Sequence, residues 1–192
     1  MVTKLMTKFL ALMQNGQEPI SITYNKTATA SSYRYFPTDP SLAVRFQRNS
    51  DIYSPDKQCS GQARNIWMSD PTDTNPWLQV DLGQTYSTTA LFIWNRNDCC
   101  WGRLTPFSIT ISDTNATTQG PTFKDQLPCF ISNDKTPPSN VGIYSDCVSV
   151  GRYVIIRLTG PNNYNYGTDF HVCAIQVYGS LYLATPPTPP AP

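Results

Sequence analysis

Apolar and polar residues alternate along this chain in short runs, and no segment sustains the 3.6-residue period of a long helix. Residues 77–82 alternate, as a strand with one buried face does. Residues 89–94 are mostly apolar, which suits a buried strand. Phe107, Ile109 and Ile111 alternate with Ser108, Thr110 and Ser112. Residues 153–158 are β-branched and aromatic, and residues 172–178 alternate again around Cys173. Stretches rich in Pro, Asn, Asp and Gly at 70–76, 133–140 and 160–167 separate these runs. The pattern predicts an all-β fold, an antiparallel β-sandwich or jelly roll, over residues 20–180. A domain of that size buries around 70% of its unfolded surface, so disulfides would staple loops rather than replace a core. Segment 1–19 predicts a peripheral piece, with a short helix over residues 1–13 ended by Gly16 and Pro19. Segment 181–192 is proline-rich and predicts a semi-rigid spacer or the start of a stalk.

Composition narrows the function. Charged residues are 14% of the chain, against about 25% in a typical domain. Fourteen Lys and Arg against 13 Asp and Glu leave a net charge of +1, which argues against a nucleic-acid partner. No apolar run approaches the roughly 20 residues of a membrane span. The single histidine is His171, and no carboxylate pair is marked out, so the chain is not expected to be an enzyme. None of the six cysteines (Cys59, Cys99, Cys100, Cys129, Cys147 and Cys173) forms a C-x-x-C pair, against a redox site or zinc knuckle. Spacing alone leaves their pairing open. With Asn-x-Thr sequons at Asn25 and Asn115, they favour an oxidising, extracellular setting. The apolar stretch at residues 9–13 is shorter than a signal-peptide core, which suggests either a fragment of a longer chain or a wrongly assigned start.

The most informative segment is Asn95-Arg96-Asn97-Asp98-Cys99-Cys100-Trp101-Gly102-Arg103. Bonded to each other, Cys99 and Cys100 would form a strained ring with a compact, rigid, apolar surface. Arg96 and Arg103 each present several donors in a fixed fork. Two forks beside an apolar disc match a sugar with hydroxyls on one face and a methyl group on another. Alternatively, the two cysteines point to opposite faces of a strand and pair elsewhere, and the arginines are ordinary surface charge.

The segment resembles the signature of the F-type lectins, or fucolectins, within the discoidin and coagulation-factor C-type sandwich group. Arg96, Asp98, Cys99, Cys100 and Arg103 are in register with it, with Asn97 in place of glycine. Residues 25–32 resemble the family's opening strand and residues 39–44 its next helical turn. Residues 75–82 resemble its Pro-Trp strand and residues 172–179 its closing strand. The resemblance implies a galactose-binding-domain-like sandwich in which Cys99 and Cys100 bond to each other beneath fucose. It also implies the disulfides Cys59–Cys173 and Cys129–Cys147. Arg96 and Arg103 would bind the sugar, with Asp98 in the same site. Trp101 stands where the family often has a small residue; it would stack on the apolar face of the sugar or be an exposed loop aromatic without a ligand. Residues 164–166 offer a rim contact.

Two further departures follow. The family's histidine would lie within residues 62–70, where this chain has none. Gln62, Asn65, Trp67 or Asp70 would have to supply that hydrogen bond, and His171 is expected to be a wall or core residue. The family's calcium carboxylates are replaced around Arg45 and at Ala174, so no metal or other cofactor is expected, and Arg45 would brace the loop instead. The expected function is a lectin for glycans bearing terminal fucose or a similar deoxy sugar. The chain would be secreted or at a cell surface, in a multimer or a longer multidomain protein. The alternative is a discoidin-like adhesion or matrix module with sugar binding altered or lost.

Overall fold

The computed structural model describes residues 20–35, 38–45, 59, 66–96, 98–119, 127–133, 143–165 and 167–183. The helix expected in segment 1–19 and the proline-rich run from residue 184 lie outside these, as do Gln62, Asn65, Asn97 and Tyr166.

Among the described residues, eight strands follow in order: β1 (Thr27–Ala30), β2 (Trp67–Met68), β3 (Trp77–Trp94), β4 (Phe107–Ser112), β5 (Phe130–Ser132), β6 (Ile143–Leu158), β7 (His171–Val172) and β8 (Ala174–Leu181). The main sheet has the order β1-β3-β6-β4-β5, with β8 on β3, and β2 pairs with β7 as a separate ribbon. Every pairing is antiparallel. A 3-10 turn at Pro40–Val44, with Asp39 as its N-cap, and one helical turn, α1 (Ala116–Gln119), complete the scaffold. The all-β sandwich expected from the sequence is the fold observed.

β3 organises the molecule. Leu78, Val80 and Leu82 share one core with Leu91 and Ile93, although the two sets differ in parity. Side chains on a strand alternate faces, so an odd number of extra residues must intervene. Between Asp81 and Tyr86, five steps on β3 answer two on β6, from Tyr153 to Gly151. These three extra residues return the side chains to the core. Gly83 takes φ +83° there, a conformation that glycine adopts without penalty. Asp81 accepts from the Gly83 amide at 2.8 Å and from Nε and Nη2 of Arg152, both at 2.7 Å. The Arg152 fork and the Gly83 amide hold the Asp81 carboxyl below its usual range.

The other face of the same stretch carries Ala90, Phe92 and Trp94, which pack with Ile66, Met68, Tyr178 and the Cys59–Cys173 disulfide. Residues 89–94 read as an apolar run because both faces are covered. The sequence suggested separate strands at 77–82 and 89–94. The chain continues through the polar stretch between them because the bulge absorbs the change of face. Residues 172–178, expected as one strand, divide at Cys173, whose amide donates to the Trp94 carbonyl. The first half of β6 was not predicted, since its outward Val148 and Val150 break the polar alternation. Ser108, Thr110 and Ser112 are buried like their apolar neighbours rather than facing water. Tyr153, Ile155 and Ala116 of α1 form a third cluster with Trp77.

The Cys59–Cys173 bond joins residues 114 apart, and Cys129–Cys147 joins residues 18 apart. Chain-entropy arguments give such closures about 4–5 and about 3 kcal/mol respectively.

Candidate functional site

The site is built on the segment between β3 and β4. Asn95 follows β3 and is fully buried. Its Nδ2 donates to the Trp101 carbonyl at 3.0 Å, which ties the end of β3 to Trp101. Its Oδ1 accepts from the Arg96 amide at 2.8 Å and from His171 Nε2 at 2.7 Å. Since Oδ1 is an acceptor only, the imidazole carries its proton on Nε2. Burial, then the Arg96 and Arg103 guanidiniums, push the His171 pKa well below the usual histidine value, so the ring is neutral. His171 is a wall residue, as expected, but it also orients the amide that starts the loop.

Arg96 forks onto Asp98, with Nε 2.7 Å from Oδ1 and Nη2 2.8 Å from Oδ2. A guanidinium has five N–H donors, and this fork engages two of them. Cys99 and Cys100 bond to each other, with Cα atoms 3.8 Å apart, and both are half-buried. The alternative in which they pair elsewhere is therefore excluded, and all three disulfides are those that the resemblance implied. Cys100 adopts φ +60°, an uncommon conformation for a residue with a Cβ. It starts a 3-10 turn, Trp101–Leu104, in which the Arg103 amide donates to the Cys100 carbonyl at 3.0 Å. Trp101 is left exposed beside the disulfide.

A second loop closes on this turn. A Cβ on Gly102 would lie 2.7 Å from the Tyr164 amide nitrogen and 2.8 Å from the Asn163 carbonyl carbon. Only glycine admits that approach, and the Asn163 amide donates to the Gly102 carbonyl at 2.9 Å. Buried Asn162 shapes the loop by accepting from the amides of Tyr164 and Asn165 and donating to the Asp169 carbonyl. The Tyr164 ring thereby lies 5.0 Å from the Arg103 guanidinium carbon, a cation–π contact. Arg103 Nη2 is 3.4 Å from Asp169 Oδ2, and Arg34 Nη2 bonds the other oxygen of Asp169.

Arg96, Asp98, Cys99, Cys100, Trp101 and Arg103 all belong to this one loop. Of the donors considered for the absent histidine, Trp67 is buried against Phe170 and donates to the Ser32 carbonyl at 3.0 Å. The Asp70 carboxylate accepts from the Thr72 amide and hydroxyl. Both are thus engaged in structure. Sequence reasoning missed Asn95, Arg34 and Asp169. Arg34 has no motif around it, and only the fold brings it to Asp169. No cluster of three or more His, Cys, Asp or Glu side chains suited to a metal occurs among the described residues. Arg45, at the end of its 3-10 turn, donates to the Ser41 hydroxyl, and Ala174 is buried at the start of β8.

A family model described as a NedA-like, galactose-binding domain matches residues 57–154, just over half of the chain. The chain belongs to that family. Within it, the chain is 26% identical over 141 residues to a fucolectin of Anguilla anguilla, covering 73% of this chain and 76% of the relative. It is 49% identical over 108 residues to fucolectin-6 of Anguilla japonica, covering 56% of this chain and 50% of that relative. Among solved structures it is similar to a fucolectin from Morone saxatilis (striped bass) serum, with a TM-score of 0.64 and 24% identity. That match covers 85% of this chain and 50% of the other. The resemblance to fucolectins carried by the Cys99–Cys100 signature is thus matched by relatives and by fold.

Proposed function

We propose that this domain is a lectin that binds terminal fucose or a related deoxy sugar at the 95–103 loop. The observation that carries the reading is the placement of Arg96 and Arg103 on one loop around the half-buried Cys99–Cys100 disulfide, Arg96 held by Asp98 and Arg103 beside Asp169, which it shares with Arg34. Such donors are ordered before the ligand arrives, so little side-chain entropy is lost on binding. The disulfide supplies an apolar floor for the sugar's methyl group, and exposed Trp101 supplies a wall. The kinship with fucolectins supports a binding module rather than an enzyme, and the serum source of the striped bass fucolectin supports a secreted or cell-surface setting. A fucosylated-glycan array with the oxidised protein tests it. Binding abolished by Arg103→Ala is expected, and an empty array overturns the reading.

One observation favours the alternative, a discoidin-like adhesion or matrix module. Trp67, Ser69 and Asp70, in the stretch where the family's histidine is expected, are all engaged within the fold. Adhesion retained by an Arg96→Ala/Arg103→Ala double variant would favour that module. Arg45 is proposed to brace the turn that calcium holds in the family, through its bond to Ser41. A large rise in melting temperature on adding calcium would contradict this role.

A further inference from the structure

The two Asn-x-Thr sequons look alike in the sequence and stand in different settings in the fold. Asn115 precedes α1 and is half-buried. Its Oδ1 accepts from the Thr117 amide at 2.9 Å, from the Thr117 hydroxyl at 2.7 Å and from Gln79 Nε2 at 3.0 Å. Gln79 is buried on β3, and its Oε1 accepts from the Ala116 amide at 2.6 Å. Ala116 in turn packs with Tyr153 and Ile155. The sequon at 115–117 is thus a cap that clamps α1 to the sheet.

Asn25 and Thr27 are both exposed, and their side chains have no hydrogen-bond partner among the described residues. The backbone is nevertheless ordered. The Asn25 amide donates to the Val44 carbonyl at 2.9 Å, and the Lys26 amide donates to the Thr23 carbonyl at 3.2 Å. Asn25 takes φ +53°, a left-handed conformation that asparagine adopts more readily than most residues. The sequon therefore sits on a turn that leads into β1, with both of its reacting side chains open to solvent.

The order of synthesis sharpens the contrast. The hydroxyls of Ser21 and Thr23 donate to the carbonyls of Val177 and Ile175, which lie 156 and 152 positions further on. At about 5–20 residues per second, those partners follow the Asn25 sequon by roughly 10–30 s. The Asn115 clamp reaches back to Gln79, 36 positions earlier, which already exists when Asn115 is made. The first sequon stays open through most of synthesis, while the second has its partner at once.

We propose that Asn25 is an N-glycosylation site and that Asn115 stays unmodified as a structural cap. The donor is an oligosaccharide linked to a lipid diphosphate. Asn25 Nδ2 forms a bond to the anomeric carbon of its first N-acetylglucosamine. The bond from that carbon to the diphosphate oxygen breaks, its electron pair leaves with the lipid diphosphate, and Nδ2 gives up one proton. The inference goes beyond sugar binding and rests on the secreted or cell-surface setting proposed above. β1 ends the main sheet, and an oligosaccharide two residues before it shields that edge from pairing with another chain.

The test directs the intact chain into the secretory pathway of cultured animal cells behind a cleavable leader. Chain recovered from the lumen and the medium is read by mass spectrometry before and after peptide N-glycosidase. One oligosaccharide is expected, on Asn25. It should be lost in Asn25→Gln and in Thr27→Val, and kept in Thr27→Ser and in Asn115→Gln. Thr27→Val retains Asn25 and suits an exposed strand position, so loss there does not reflect misfolding. Lumenal chain unmodified at Asn25 overturns the site, and an oligosaccharide on Asn115 overturns its role as an unmodified cap. A fucosylated-glycan array run on the same material keeps the two readings apart. An empty array from a chain glycosylated at Asn25 overturns the lectin reading alone, and array binding by a chain unmodified at Asn25 overturns this inference alone.

Discussion

Two aspartate–arginine forks in this molecule have almost the same geometry and different consequences. Asp81 and Arg152 meet at 2.7 and 2.7 Å, and Asp98 and Arg96 at 2.7 and 2.8 Å. The first pair joins residues 71 apart, with side chains 26% and 42% exposed. The second joins residues two apart, with side chains 18% and 7% exposed. The first lies across a bulge and fixes the register of β3. An exposed pair of this kind is screened by water and salt and adds little to stability. The second holds a largely buried guanidinium on the loop that carries a disulfide, where desolvation strengthens what its remaining donors do. A fork does not declare its purpose by its distances. Burial, and what lies beside it, separate a brace from the arm proposed to bind sugar.

The largest expected effect comes from removing the buried arm. Arg96→Ala is expected to weaken fucoside binding by about 100-fold or more, since it deletes charged hydrogen bonds and leaves Asp98 without its fork. Arg152→Ala should leave that affinity unchanged, and parallel calorimetric titrations check both.

Next in size is Gly102→Ala. With backbone atoms 2.7 and 2.8 Å from the added carbon, the Tyr164 loop must move, at a cost of about 1–3 kcal/mol. Urea denaturation should show that loss, and fucoside affinity should fall with it because Arg103 loses its Tyr164 contact.

How much of this was legible in the sequence follows from the same contrast. Arg96, Cys99, Cys100 and Arg103 lie within eight consecutive positions, so their association is local and a motif exposes it. Asp169 and Arg34 meet only because β7 and the segment after β1 both lie against β2, and no spacing encodes that. The strand pattern was readable where one face is wet, as at residues 77–82. It failed at residues 83–88, where the bulge makes a polar run part of the strand, and at Ile143–Arg152, where valines face outward. His171 was legible as a wall residue. Its bond to Asn95 was not, because the two are 76 positions apart.

A smaller effect separates the regions by pH. His171 has a folded-state pKa depressed below its unfolded value of about 6.5, so below that pH the unfolded chain takes up a proton that the folded chain refuses. Its contribution to stability is complete above about pH 6.5. It is lost as pH falls towards the folded pKa, at up to about 1.4 kcal/mol per pH unit. Asp81 also has a depressed pKa, and its contribution is present above the unfolded carboxylate value and lost only at lower pH, below about 4. Denaturation curves between pH 7 and 4.5 should therefore flatten in a His171→Gln variant and not in Asp81→Asn. The smallest expected change is in melting temperature: Arg152→Lys should lower it by about a degree or two, because a single ammonium cannot reproduce the fork.

The most direct measurement is a crystal structure of the oxidised chain with methyl α-L-fucoside. The account predicts the sugar's hydroxyls within hydrogen-bond reach of both Arg96 and Arg103, with its methyl group against the Cys99–Cys100 disulfide. A fucoside bound elsewhere on the sandwich, with both guanidiniums untouched, would contradict it.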